Sequence, residues 1–160
     1  MTVVGIGNPY RRDDGVGLEV ARLLRDRPPP AVTVAECEGE PTALLTAWED
    51  ADAAWIIDAA HPGAGRFETP AGTVHRMVVT DDPLPANLLA ASTHALGLAD
   101  AIEISRALGR LPEHVVIYAI FGRDFTAGEG LTPAVAAAAH TAAAAIRAET
   151  KQHAAHPAAG

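Results

Sequence analysis

The feature that most constrains this chain is its opening run, Thr2-Val3-Val4-Gly5-Ile6-Gly7, which is β-branched and apolar without alternation and stops at Asn8-Pro9. A strand that is apolar at successive positions is buried on both faces, the situation of a central strand in a parallel sheet covered by helices. From Gly15 the period changes: Val16, Val20, Leu23 and Leu24 follow the i, i+4, i+7, i+8 spacing of an amphipathic helix, which Pro28-Pro29-Pro30 ends. Asp13 or Asp14 is placed to cap its start. Strand, turn and helix in immediate succession open a βαβ unit.

The rhythm continues along the chain. Residues 31–37 read as a second strand, 42–48 as a short helix after Gly39-Glu40-Pro41, and 53–57 as a third strand closing on Asp58 and the turn His61-Pro62-Gly63. Residues 72–79 fit a fourth strand, 93–108 a helix, 115–121 a fifth strand, and 133–149 a closing Ala-rich helix with Thr132 as N-cap and Pro133 at its first position. No repeat or linker divides the sequence, and 160 residues with 49% hydrophobic content can bury a core without disulfide or metal staples. The expectation is a single α/β domain over residues 1–150 and a flexible tail from 151 to 160.

Charge and cysteine usage exclude several functions. Twelve basic against twenty acidic residues leave a net charge of −8, which repels phosphate backbones, and no basic stripe interleaved with aromatics compensates. Cys37 is the only cysteine, so neither a disulfide framework nor a thiolate zinc cage is available. The first apolar stretch runs into Arg11-Arg12-Asp13-Asp14, too short and too charged for a signal h-region, and no apolar run is long enough to span a bilayer. A protein of the reducing cytoplasm is expected.

In a parallel α/β sheet, ligands bind outside the carboxyl ends of the strands. That rule selects residues 8–14, residues 58–61 and the surroundings of His94. Asp14, Asp58 and His94 together form a mixed oxygen and nitrogen set suited to a borderline divalent ion such as Ni²⁺ or Zn²⁺, with positions left open for substrate. A helix N-terminus at His94 would favour the neutral imidazole that a metal needs. Each residue also has a structural reading: capping for Asp13 and Asp14, loop amides for Asp58, core packing for His94. His61 is close enough to Asp58 to join. Cys37 reads as a small buried residue, Ser92 and Ser105 lie in no nucleophile elbow, and His75, His114, His140, His153 and His156 read as surface or helix residues.

A competing motif begins in the same loop. Gly5-Ile6-Gly7-Asn8-Pro9-Tyr10 starts like a dinucleotide fingerprint, but Tyr10 stands where the third glycine belongs. Asp13 and Asp14 then occupy the place where a pyrophosphate needs bare amides and positive potential.

The run Gly5-Ile6-Gly7-Asn8-Pro9, then Asp13-Asp14-Gly15-Val16-Gly17, resembles the N-terminal signature of the hydrogenase maturation endopeptidases, which process nickel-iron hydrogenases. Ile56-Ile57-Asp58-Ala59 is similar to that family's second acidic segment, and Ser92-Thr93-His94-Ala95-Leu96-Gly97-Leu98-Ala99-Asp100 to its histidine segment. Gly122 and Gly130-Leu131-Thr132-Pro133-Ala134-Val135 resemble its closing loop and helix. The resemblance implies a three-layer α/β/α sandwich of the phosphorylase/hydrolase-like kind, with a mostly parallel five-stranded sheet and one antiparallel strand near the fourth. It places Asp14, Asp58 and His94 on the catalytic and metal-binding positions. It implies Ni²⁺ supplied by the substrate, the precursor of a [NiFe]-hydrogenase large subunit, whose C-terminal extension is removed after nickel insertion. Two departures stand out: Asp14 occupies a position where many members carry Glu, and Glu38-Gly39-Glu40-Pro41-Thr42 replaces an Asp-Gly-Gly-Thr turn. Glu38 and Gly39 are accordingly the substrate-binding candidates. The alternatives are a non-catalytic nickel-binding assembly factor and a nucleotide-binding α/β domain. With the metal reading adopted, Asp13 falls to the helix cap and Asp14 to nickel.

Overall fold

The computed structural model describes residues 1–62, 69–79 and 94–156. Five strands, β1 (Thr2–Ile6), β2 (Thr33–Cys37), β3 (Ala53–Ala60), β4 (Val74–Val79) and β5 (His114–Phe121), form one sheet in the order β2-β1-β3-β5-β4. β4 pairs antiparallel with β5, and the other pairings are parallel. The four helices are α1 (Val16–Asp26), α2 (Pro41–Trp48), α3 (Ala95–Ala107) and α4 (Pro133–Ala155). The mostly parallel sheet between two helical layers is the expected sandwich.

The apolar runs that lack alternation are the central strands. Every residue of β1 and β3 is buried, while the edge strands β2 and β4 are partly exposed. Two cores lie on opposite faces. Val3, Trp55, Ile57 and Ile120 pack against α1 and α4 through Val16, Val20, Leu24, Val135 and Ile146. Val4, Ile6, Ala54 and Ile56 pack against α2 and α3 through Leu44, Trp48, Leu98 and Ile102. The buried alanines of α4, Ala138, Ala139, Ala142 and Ala143, remove only a methyl each from water, roughly 0.8 kcal/mol, so their main effect is to let α4 approach closely.

Strand order reverses between β1 and β3: α1 leads from β1 to an outer neighbour, and the chain returns through α2 to β3 on the other side. Here α1 rests directly on the sheet. A Cβ on Gly17 would lie 2.2 Å from the Ile6 carbonyl oxygen and 2.5 Å from that of Ile57, and a Cβ on Gly5 would lie 2.2 Å from the Gly17 oxygen. Only glycine at both positions lets the first turn of α1, and the acids before it, sit at this crevice.

The last helix extends further than the Ala-rich pattern indicates. α4 runs to Ala155, past the residue at which the sequence places the start of a tail. Tertiary contacts sustain it: Thr150 is buried, and the His153 ring meets Trp55 edge-on and stacks on His114. Residues 157–160 lie outside the described residues, as do Gly63, Ser92 and Thr93 of the turn and helix start expected above.

Candidate functional site

The acids of the first loop occupy a short 3-10 turn, Arg12–Gly15, between β1 and α1. Consecutive side chains of such a turn diverge by about 120°, so Asp13 and Asp14 face different surroundings. Neither caps α1: its N-cap is Gly15, with no side-chain cap bond. Asp13 reaches instead across to the loop after β5. Its Oδ2 accepts from the Arg123 amide at 2.8 Å, the Asp124 amide at 3.0 Å and the Thr132 hydroxyl at 3.0 Å, and its Oδ1 accepts from the Thr132 amide at 2.7 Å. Thr132 is the N-cap of α4 as expected, but its hydroxyl donates to Asp13 rather than capping the helix.

Asp14 is 1% exposed, and neither carboxylate oxygen has a hydrogen-bond partner among the described residues. A buried carboxylate without donors is costly unless something positively charged completes it. His94 faces it, with Nε2 3.8 Å from Asp14 Oδ2.

Pleat parity brings Asp58 to the same place. It shares the face of Ala54 and Ile56 in β3, the face that α3 covers, and His94 is the N-cap residue of α3. Asp58 Oδ1 accepts from the Ala59 amide at 2.8 Å and lies 2.9 Å from His94 Nδ1. A carboxylate only accepts, so Nδ1 carries a hydrogen and Nε2 is the ring edge directed toward Asp14. The three residues expected at the site are thus brought together, with the imidazole between two buried acids.

The pKa shift expected for His94 runs the other way. Burial, the largest influence, disfavours imidazolium, and the Arg11 charge acts in the same direction; the Asp58 hydrogen bond and the charges of Asp58 and Asp14 outweigh them, so the pKa lies above the ordinary 6.5. The position at the head of a helix does not decide it.

Gly39 presses on the imidazole from the far side. A Cβ there would lie 2.8 Å from His94 Cβ, and its φ of +94° is a conformation glycine adopts readily. Gly39 is buried, and Glu38 and Glu40 on either side are exposed. His61 turns aside to Phe125, ring centroids 4.0 Å apart. Burial raises the Cys37 thiol pKa, against a backbone hydrogen bond from Gly39, so no activated thiolate is present there. Ser105 is buried and accepts the Trp48 indole N–H at 2.9 Å.

Among the described residues no three or more His, Cys, Asp or Glu side chains stand close enough together to hold a metal ion by themselves. The arrangement is open rather than caged, and its chemistry still fits a borderline divalent ion. It offers a buried carboxylate with both oxygens unbonded, an imidazole nitrogen facing it, and a second carboxylate that fixes the ring as outer partners of metal-bound histidines do. What sequence reasoning missed is the work of Asp13 and the packing of Gly39 on His94; both depend on partners remote in sequence.

Comparison with known proteins supplies the family. The family model described as "Hydrogenase maturation protease" matches residues 18–149, a segment that starts after Asp14 and includes Asp58 and His94. The hydrogenase 2 maturation protease of Escherichia coli (strain K12) is 28% identical over 138 residues, covering 84% of this chain and 80% of the relative. The solved structure of the E. coli hydrogenase maturating endopeptidase HybD superposes with a TM-score of 0.77 at 24% identity, covering 94% of this chain and 91% of that one. The [NiFe] hydrogenase maturation protease HybD from Thermococcus kodakarensis gives a TM-score of 0.77 at 22% identity, covering 92% and 96%. With the family model spanning most of its length, the chain belongs to the hydrogenase maturation proteases, endopeptidases that hydrolyse peptide bonds.

Proposed function

We propose that the chain removes the C-terminal extension of a [NiFe]-hydrogenase large-subunit precursor, and does so only once nickel is in place. The observation that carries this reading is the buried Asp14 carboxylate, without a hydrogen-bond partner at either oxygen among the described residues and 3.8 Å from His94 Nε2. A permanently empty site of this kind would be a liability. It is sensible when a cation arrives with the substrate. Nickel already held by the precursor is then part of what is recognised: metal-free precursor lacks the ion that Asp14 and His94 complete.

On this reading Asp14 and His94 Nε2 contact the substrate's nickel, while Asp58 holds the ring through Nδ1 and belongs to the same set. The ion can polarise the scissile carbonyl as a Lewis acid. The carboxylates orient the attacking water and accept its hydrogen bond. Engagement of the ion at Nε2 competes with protonation of that nitrogen. The exposed acids Glu38 and Glu40 flank Gly39 beside His94, which supports placing Glu38 and Gly39 at the edge where the precursor approaches. No described helix is long and apolar enough to cross a membrane. The cytoplasm, where nickel-loaded precursor would be met, is the proposed compartment.

The test is processing of nickel-loaded precursor followed by mass spectrometry. Wild type is expected to release a short C-terminal peptide, and Asp14→Ala and His94→Ala are expected to release none. Full processing by both variants would remove the site from the reaction.

A further inference from the structure

Two adjacent aspartates at the head of α1 meet opposite fates: among the described residues Asp13 collects four donors and Asp14 none. All four donors to Asp13 come from residues 123–132, the loop between β5 and α4. Other bonds join the same two loops. The Asp13 amide donates to the Asp124 carbonyl at 3.0 Å, the Arg12 amide to the Gly128 carbonyl at 2.9 Å, and the Gly128 amide to the Tyr10 carbonyl at 2.8 Å. Arg12 lies in the left-handed region at φ 49°, a conformation a non-glycine residue holds only when its surroundings fix it. Its Nε is 3.3 Å from Asp124 Oδ2. The turn that carries Asp14 therefore has its geometry imposed from across the sheet end.

We infer that Asp13 is a positioning residue for Asp14: by clamping the 123–132 loop and the first residues before α4, its carboxylate holds the 3-10 turn so that the Asp14 carboxylate stays buried and turned toward His94. The geometry makes the choice of acid specific. Backbone amides and a hydroxyl surround both oxygens, so a group that only accepts is required. Asparagine would set an N–H against one of those donors, while keeping the size of the side chain. The two acids are then not redundant. One is spent on backbone amides so that its neighbour can remain without partners for an incoming cation.

This inference rests on the proposed role of Asp14 at the nickel, and the test separates the two. Binding of Ni²⁺ alone is measured by calorimetry on the intact protein for wild type, Asp13→Asn, Asp14→Ala and the double variant, with melting temperature recorded alongside. Asp14→Ala is expected to weaken binding, and Asp13→Asn to weaken it about 10- to 100-fold, the usual effect of losing an outer partner of a ligand. In the Asp14→Ala background, Asp13→Asn is expected to cause no further loss, because it acts through Asp14. Thr132→Val, which removes one of the four donors, is expected to shift affinity in the same direction by less, and decides the matter if Asp13→Asn does not fold. Unchanged binding in Asp14→Ala would overturn the nickel reading itself. Wild-type affinity in Asp13→Asn and Thr132→Val, or a loss that persists without Asp14, would overturn the positioning role alone.

Discussion

His94 Nδ1 lies 2.9 Å from Asp58 Oδ1, a contact between the head of α3 and the carboxyl-terminal half of the central strand β3. It sets which nitrogen of the ring faces Asp14 and, with Asp14, raises the pKa of the ring. Asp58→Asn keeps an oxygen that can accept from Nδ1 but removes the charge. The His94 pKa is expected to fall, read from the imidazole proton shifts in an NMR titration, and processing of nickel-loaded precursor is expected to slow. A titration curve superimposable on wild type would show that Asp58 does not govern the ring.

Metal binding and metal-free stability are expected to depend on pH in opposite directions. The folded-state pKa of His94 lies above 6.5, the ordinary value, so its contribution to folding is complete below about 6.5 and is lost as pH rises through the higher folded value. Nickel competes with the same proton, so its affinity rises with pH over that interval and then levels off. Denaturant melts and Ni²⁺ calorimetry at matched pH, each compared with His94→Gln, check both slopes. The predicted differences from the variant have opposite signs; parallel trends would contradict the assignment.

Gly39→Ala is expected to disturb His94 without unfolding the protein. The added methyl would sit 2.8 Å from His94 Cβ, at a φ of +94°. Displacement of a reacting group by about 1 Å can slow turnover about 100-fold. The expected result is a fall of that order in the processing rate with a small change in melting temperature, and a wild-type rate would show that the turn yields instead of the ring.

At the other end of the sheet, Glu149 on α4 accepts from Trp55 Nε1 at 2.8 Å, the Tyr118 hydroxyl at 2.6 Å and Arg76 Nε at 2.7 Å. Burial raises its pKa, but the bonds from Arg76, Tyr118 and Trp55 outweigh it and the net shift is down from 4.5. Its stabilisation is therefore present above pH 4.5 and lost as pH falls through the lower folded value. Glu149→Ala is expected to cost roughly 2–4 kcal/mol at neutral pH, since several donors lose a charged acceptor together. Urea denaturation measures this, and a loss below about 0.5 kcal/mol, the ordinary scatter of surface substitutions, would contradict it.

Much of this molecule was legible in residue periods. The unbroken apolar run of β1 and the i, i+4 spacing of α1 reflect burial on two faces and on one, and both elements formed where those patterns lie. The three site residues were legible because the carboxyl ends of parallel strands are where polar side chains meet. The antiparallel direction of β4 came from resemblance, since the exposure pattern of an edge strand does not encode which way it runs. Long-range pairing was not legible. Asp13 meets Thr132 across 119 positions and Asp58 meets His94 across 36, so neither the clamp nor the raised imidazole pKa follows from the local patterns of capping and helix dipoles. The last turns of α4 depend likewise on Trp55 and His114.

The central claim is that this protease reads nickel in its substrate through Asp14 and His94. The most direct measurement is the mass of a [NiFe]-hydrogenase large-subunit precursor after incubation with the purified protein, in parallel nickel-loaded and nickel-free samples. The account predicts loss of a C-terminal peptide from the nickel-loaded precursor alone. Equal cleavage of the nickel-free precursor would contradict it.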